Sequence, residues 1–111
     1  MAIYDQLYKK AGERHYITAS IVNVRLTGEE AVLAGSSVSA VDNAGIDVST
    51  SVLDQSTIAI TNHPDRTDGT NCCLTIRCRA GTADKSPYKI TFSVATTLGN
   101  LFQKVADLII F

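Results

Sequence analysis

Two stretches of strict alternation constrain this chain more than anything else in it. In Asn71–Ala80, Cys72, Leu74, Ile76 and Cys78 are apolar, while Cys73, Thr75, Arg77 and Arg79 are mostly polar. In Tyr88–Ala95, Tyr88, Ile90, Phe92 and Val94 alternate with Lys89, Thr91, Ser93 and Ala95. A period of two places each apolar set on one face of a β-strand. Joined by a Gly-containing connection, the two stretches read as a β-hairpin whose apolar face needs a second sheet to cover it. Adjacent Cys72 and Cys73 are expected on opposite faces.

Around this pair the chain offers further strands, each closed by a turn. His15–Leu26 is rich in β-branched residues and ends at Thr27-Gly28. Glu30–Val41 and the short Ile46–Val48 flank the turn Asp42-Asn43-Ala44-Gly45. Ser49–Gln55 crosses over, with Val52 and Leu53 expected in the core, and Ser56–Thr61 is a further strand. Leu101–Phe111 is the last, and its parity is ambiguous: Leu101, Val105, Ile109 and Phe111 share one face, and Phe102, Ala106, Leu108 and Ile110 the other. Either a bulge shifts the register, or both faces are covered and one cover is another subunit. Short strands at this spacing predict an all-β fold, an immunoglobulin-like β-sandwich of about seven strands at residues 15–111. A short N-terminal arm, residues 1–14, precedes it. In the arm Ile3, Tyr4, Leu7 and Tyr8 sit at helical spacing and suggest one or two turns of helix. These either cap the sandwich or dock on a neighbouring subunit.

The residues carry no recognisable chemistry. His15 and His63, the two histidines of the chain, fall in neither a nucleophile motif nor a zinc motif. Glu29 and Glu30 follow a turn and are expected to be solvated. Three cysteines on one strand cannot bridge within it, and no second ligand cluster stands at metal spacing. The polar loop Asn62–Asn71 lacks the alternating-ligand spacing of a calcium loop. Neither a catalytic residue, a metal ligand nor a cofactor is therefore expected, and the chain reads as a non-enzyme. Arg77, Arg79 and Lys89 suggest at most a small basic patch. With a formal net charge of -1 and no interleaved aromatics, binding to nucleic acid or an anionic membrane is not expected. The first residues lack the order of a signal peptide, which predicts synthesis in the cytoplasm. The arm (Ile3, Tyr4, Leu7, Tyr8) and the polar loop (His63, Asp65, Arg66, Asp68) are the expected protein-contact surfaces.

A family resemblance adds to this reading. It runs through Leu26-Thr-Gly-Glu29, Val38–Ser49, Ser51–Ile58, Leu74–Ala83 and Tyr88–Gly99. Its most specific part is Ala80-Gly-Thr-Ala83 followed by Tyr88-x-Ile-Thr-Phe92 and Thr96-Thr-x-Gly99. In these residues the chain resembles small virion proteins of tailed bacteriophages, the fiber–tail adaptor or head–tail-region proteins. It departs from their pattern at Asp84, where a second turn glycine is common, in the longer loop Asn62–Asn71, and in the arm. The resemblance implies a structural protein of the virion, assembled in the host bacterial cytoplasm. Such a protein would bridge tail and fiber or baseplate components and form a homo-oligomer within the particle. The alternatives are a capsid decoration protein of the same fold and an immunoglobulin-like ligand-binding module.

Overall fold

The computed structural model describes residues 4–67 and 69–111. Seven strands form among them: β1 Tyr4–Lys9, β2 His15–Ser20, β3 Ala31–Val41, β4 Leu53–Thr61, β5 Cys73–Cys78, β6 Tyr88–Thr96 and β7 Leu101–Ile110. One helical turn, α1 Ser49–Val52, leads into β4. The strands make two sheets, a four-stranded one in the order β1-β7-β6-β3 and a three-stranded one in the order β2-β5-β4. With β2 to β7 read as B to G, the sheets are B-E-D and G-F-C, the immunoglobulin arrangement, with the first strand added beside G. The fold is an immunoglobulin-like β-sandwich.

The alternating stretches build its centre. Cys72, Leu74, Ile76 and Cys78 are fully buried, as are Ile90 and Val94, with Phe92 and Tyr88 nearly so. The hairpin expectation fails, however. β5 pairs with β2 and β4, whereas β6 pairs with β3 and β7. The connection after Cys78 contains a single 3-10 turn at Ala83–Lys85 and carries the chain from one sheet to the other. The two apolar faces therefore cover each other instead of sharing one face. Tyr88 anchors that crossing, its phenol accepting the Thr82 amide at 3.0 Å.

The expected basic patch dissolves for the same reason. Arg77 lies on the three-stranded sheet and Lys89 on the other. Arg77 is paired with Asp54 at 2.8 Å, and Arg79 reaches the same carboxylate at 3.8 Å.

The arm is a strand and not a helix. β1 runs parallel to β7, with Leu7 opposite Leu108 and Tyr8 opposite Ile109. A helix this short is marginal alone, and the free edge of β7 satisfies the arm's backbone better. Lys9 is buried at the end of β1, and its ammonium donates to the Glu13 carbonyl at 2.6 Å. This closes the turn into β2.

Two expected strand segments are shorter than their composition suggests. β2 stops at Ser20, and Val24 and Arg25 then donate their amides to the Ile21 carbonyl in a turn. Ile46–Val48 contributes only an isolated bridge, Val41 to Asp47. Val52 and Leu53 are buried as expected. Both β3 and β4 are bulged, between Val32 and Ser37 and between Asp54 and Ala59. In β3 the Ser36 hydroxyl spans the bulge, donating to the Val32 carbonyl at 2.6 Å and accepting the Ala95 amide at 2.9 Å.

Candidate protein-contact surface

The last strand has no bulge and carries apolar side chains on both faces. β7 keeps one register along its whole length against β6, from Leu101 opposite Ala95 to Leu108 opposite Tyr88. Ala106, Leu108 and Ile110 point into the core and are buried, with Phe102 packed against it. Leu101, Val105 and Ile109 point out. Leu101 is exposed, and Val105 and Ile109 are half-buried.

Their neighbours extend the surface. Opposite residues in a ladder share a face, so the outward row of the four-stranded sheet follows from the register. It contains Tyr8 from β1; Leu101, Gln103, Val105, Asp107 and Ile109 from β7; Lys89, Thr91, Ser93 and Ala95 from β6; and Val32, Ser37, Ser39 and Val41 from β3. Tyr8 is 63% exposed and Leu101 58%. Among the described side chains Lys89 and Asp107 are the only charges on this face. They stand opposite each other in the ladder, yet no salt bridge joins them.

The outer face of the other sheet is different in kind. The Thr18, Thr75 and Thr61 hydroxyls form a ladder across all three strands, at 2.9 and 3.2 Å. Beside it Asp54 accepts the Ser56 hydroxyl at 2.6 Å and the Arg77 guanidinium at 2.8 Å. These two bonds, the serine's first, hold the Asp54 carboxyl down at about 2. Here polar groups bond to one another within the face, although Arg77 Nε has no partner; on the four-stranded sheet the outward side chains are apolar or small apart from Gln103, Lys89 and Asp107.

The expected contact residues divide. Tyr8 lies on the outward face, but Leu7 points inward opposite Leu108 and packs against the core. Tyr4 is placed by its backbone alone, opposite Val105. Ile3 and Asp68 lie outside the described residues. In the loop, Asp65 donates its amide to His63 Nδ1 at 3.1 Å, and Arg66 donates to Asn23 Oδ1 at 3.0 Å. The loop closes on itself through the His63 amide and the Gly69 carbonyl at 2.8 Å. Asn23 lies beyond the C-terminal end of β2 and the arm joins its N-terminal end, so the loop and Tyr8 belong to opposite ends of the sandwich. The signal for the sheet face was present in β7, whose two parities are both apolar.

Glu29 is not solvated. It is buried, accepting the Leu26 amide, the Thr96 hydroxyl and the Asn100 side-chain amide. Its carboxyl is held below the usual range, by the Thr96 hydroxyl above all. It serves as a tie between two turns. Near it a cleft of about 300 Å³ opens between Val22, Arg25, Leu26, Gly28 and Thr70. Arg25 is engaged there with the backbone carbonyls of Glu29 and Thr70, at 2.6 and 3.4 Å. Among the described residues no group of three or more His, Cys, Asp or Glu could hold a metal ion. No helix is long and apolar enough to cross a membrane.

No protein-family model matches the chain, and no curated protein matches it. Among solved structures, murine CRIg is similar with 11% identity over 96% of this chain and 92% of that chain, at a TM-score of 0.49. The ZIG-8 IG1 homodimer structure is similar with 6% identity over 96% of this chain and 79% of that chain, at a TM-score of 0.42.

Proposed function

We propose that this chain is a non-enzymatic virion structural protein of a tailed bacteriophage, a fiber–tail adaptor that bridges tail and fiber or baseplate components by protein–protein contact. The observation that carries an assembly role is the outward side of β7. Leu101, Val105 and Ile109 stand there in alternation with Gln103 and Asp107, with Tyr8 beside Ile109, on a sheet whose opposite side is already a complete core. Apolar side chains gathered on one outward sheet face with a single pair of opposite charges fit a contact site. The virion setting rests on the resemblance in residues 26–99. Its most specific motifs fall in the inter-sheet crossing, in β6 and in the β6–β7 turn.

Repeated surface contacts in a symmetric particle can make weak single contacts durable. The partners are other virion proteins, and the site of action is the particle, assembled in the host cytoplasm.

Quantitative mass spectrometry of purified virions tests this. A copy number that is a small multiple of the tail's rotational symmetry supports an adaptor. Hundreds of copies make the chain a capsid decoration protein. Absence from the particle removes both virion roles and leaves an immunoglobulin-like binding module.

A further inference from the structure

We propose that the outer face of the four-stranded sheet takes a second copy of this chain, packed face to face about a two-fold axis that runs along the seam between β6 and β7. This names the first partner of the contact surface described above, and rests on its reading as an interface.

The argument is one of self-complementarity. In the order β1-β7-β6-β3 the seam between β7 and β6 is the midline of the sheet. A two-fold axis along it lays β7 over the second copy's β6, and β1 over the second copy's β3. Each residue then meets the copy of its own ladder partner, as an isologous contact requires.

Two of the outward ladder pairs across this seam, Leu101 with Ala95 and Gln103 with Ser93, are unequal in size. At these two pairs the larger residue is on β7 and the smaller on β6. The two-fold places large on small at these two pairs, whereas a packing of β7 on β7 would leave Ala95 and Ser93 without a bulky partner. Val105 stands opposite Thr91. Farther out, the two-fold brings Ser39 of β3 level with Tyr4 of the second copy's β1.

Charge follows the same rule. Asp107 stands opposite Lys89 across the midline, and the two form no ion pair within the chain. Under the two-fold each meets its opposite on the second copy, which gives two symmetric ion pairs and no unpaired charge. Four strands about 4.8 Å apart and some eight residues long present roughly 500 Å² each. A dimer then buries on the order of 1,000 Å², at the low end for a specific interface, so association is concentration-dependent and not obligate.

Sedimentation of the purified full chain over a concentration series tests the proposal, with circular dichroism and thermal melting to confirm that each variant is folded. The wild type shifts from monomer to dimer mass as concentration rises. Asp107→Lys alone and Lys89→Asp alone remain monomeric, because each sets like charges face to face. An equimolar mixture of these two variants regains the dimer, since every facing pair is again of opposite sign; no effect confined to one chain produces that recovery. Val105→Arg, which buries a charge at the seam, stays monomeric with an unchanged fold. A wild type that is monomeric throughout overturns the proposal, as does a dimer indifferent to Val105→Arg and both charge reversals. A monomeric protein found in virions at adaptor copy number overturns the two-fold alone, and a dimer absent from virions overturns the adaptor reading alone.

Discussion

Asn100 donates its side-chain amide to the Glu29 carboxylate at 2.8 Å, across 71 residues of sequence. The same carboxylate holds the Thr96 hydroxyl and the Leu26 amide, so one buried side chain ties the β2–β3 connection to the β6–β7 turn. Truncation of Glu29 to Ala orphans three donors at once. We expect Glu29→Ala to lower the urea midpoint with an unchanged m-value, and to speed amide exchange in both turns. Exchange mapped by NMR checks it; a change confined to residues 26–29 would show that the tie carries no energy.

Asp54 makes stability fall on the acid side. Its carboxyl is held down to about 2 in the folded chain, against 3.8 for an unperturbed aspartate, because the charged form holds the Ser56 hydroxyl and the Arg77 guanidinium. A depressed folded value means that the carboxylate's contribution is complete above the unfolded value and is lost as pH falls toward the folded one. The window is therefore about pH 4 down to 2. Asp54→Asn should be less stable at neutral pH and flatter through that window, as read from denaturant midpoints between pH 2 and 7.

Cys72, Cys73 and Cys78 are free thiols, all buried. Burial also pushes the Cys73 and Cys78 thiols upward, which lowers the thiolate fraction further. Native protein should react with an aromatic disulfide reagent at none of the three at an appreciable rate, and at all three in denaturant. A fast native thiol would contradict the packing of β5.

Gly69 approaches His63 so closely that a Cβ there would lie 2.4 Å from the His63 Cβ and 3.2 Å from the Cys72 Sγ. Its backbone needs no left-handed conformation; space alone demands glycine. Gly69→Ala should cost roughly 1–3 kcal/mol, in the range of overpacked sites. The amide protection of His63, bonded to the Gly69 carbonyl, should drop with it.

Lys9 is 2% exposed, with its ammonium on the Glu13 and Lys10 carbonyls. Lys9→Ala should destabilise the chain by roughly 1–3 kcal/mol, the range for a buried group left without its partner. Chemical denaturation measures it. A neutral outcome would mean that water replaces the ammonium at the turn.

How much of this was legible in the residues depends on how local the cause is. Alternation is local. Cys72, Leu74, Ile76 and Cys78, and Tyr88 to Val94, announced their buried faces because a strand shows successive side chains to opposite sides. Turn residues such as Gly28, Gly45 and Gly99 marked the breaks, each with the positive φ that glycine adopts at little cost. That was enough for the fold class and for the outward apolar residues of β7.

Pairing is not local. Whether β5 and β6 share a sheet depends on where β2, β3, β4 and β7 offer their edges, and no spacing within residues 71–95 records that. The arm shows the same limit: Leu7 and Tyr8 satisfy a helical stripe and a strand equally, and the free edge of β7 decides between them. Cys73 is the sharpest case. Cys72 sits in the turn ahead of β5 instead of within it, after Asn71 at φ 48, so the strand's alternation has not yet begun. Both thiols are buried and 3.8 Å apart. Glu29 read as a solvated charge and proved to be a buried tie, because its hydrogen-bond partners are backbone and polar groups that only the folded chain brings within reach. The sequence by itself determined which faces are apolar and where the chain turns, since period and backbone freedom are properties of neighbouring residues. Only the tertiary structure decided which strands pair, which charges are buried and which apolar side chains are left facing out, since each depends on a partner from elsewhere in the chain.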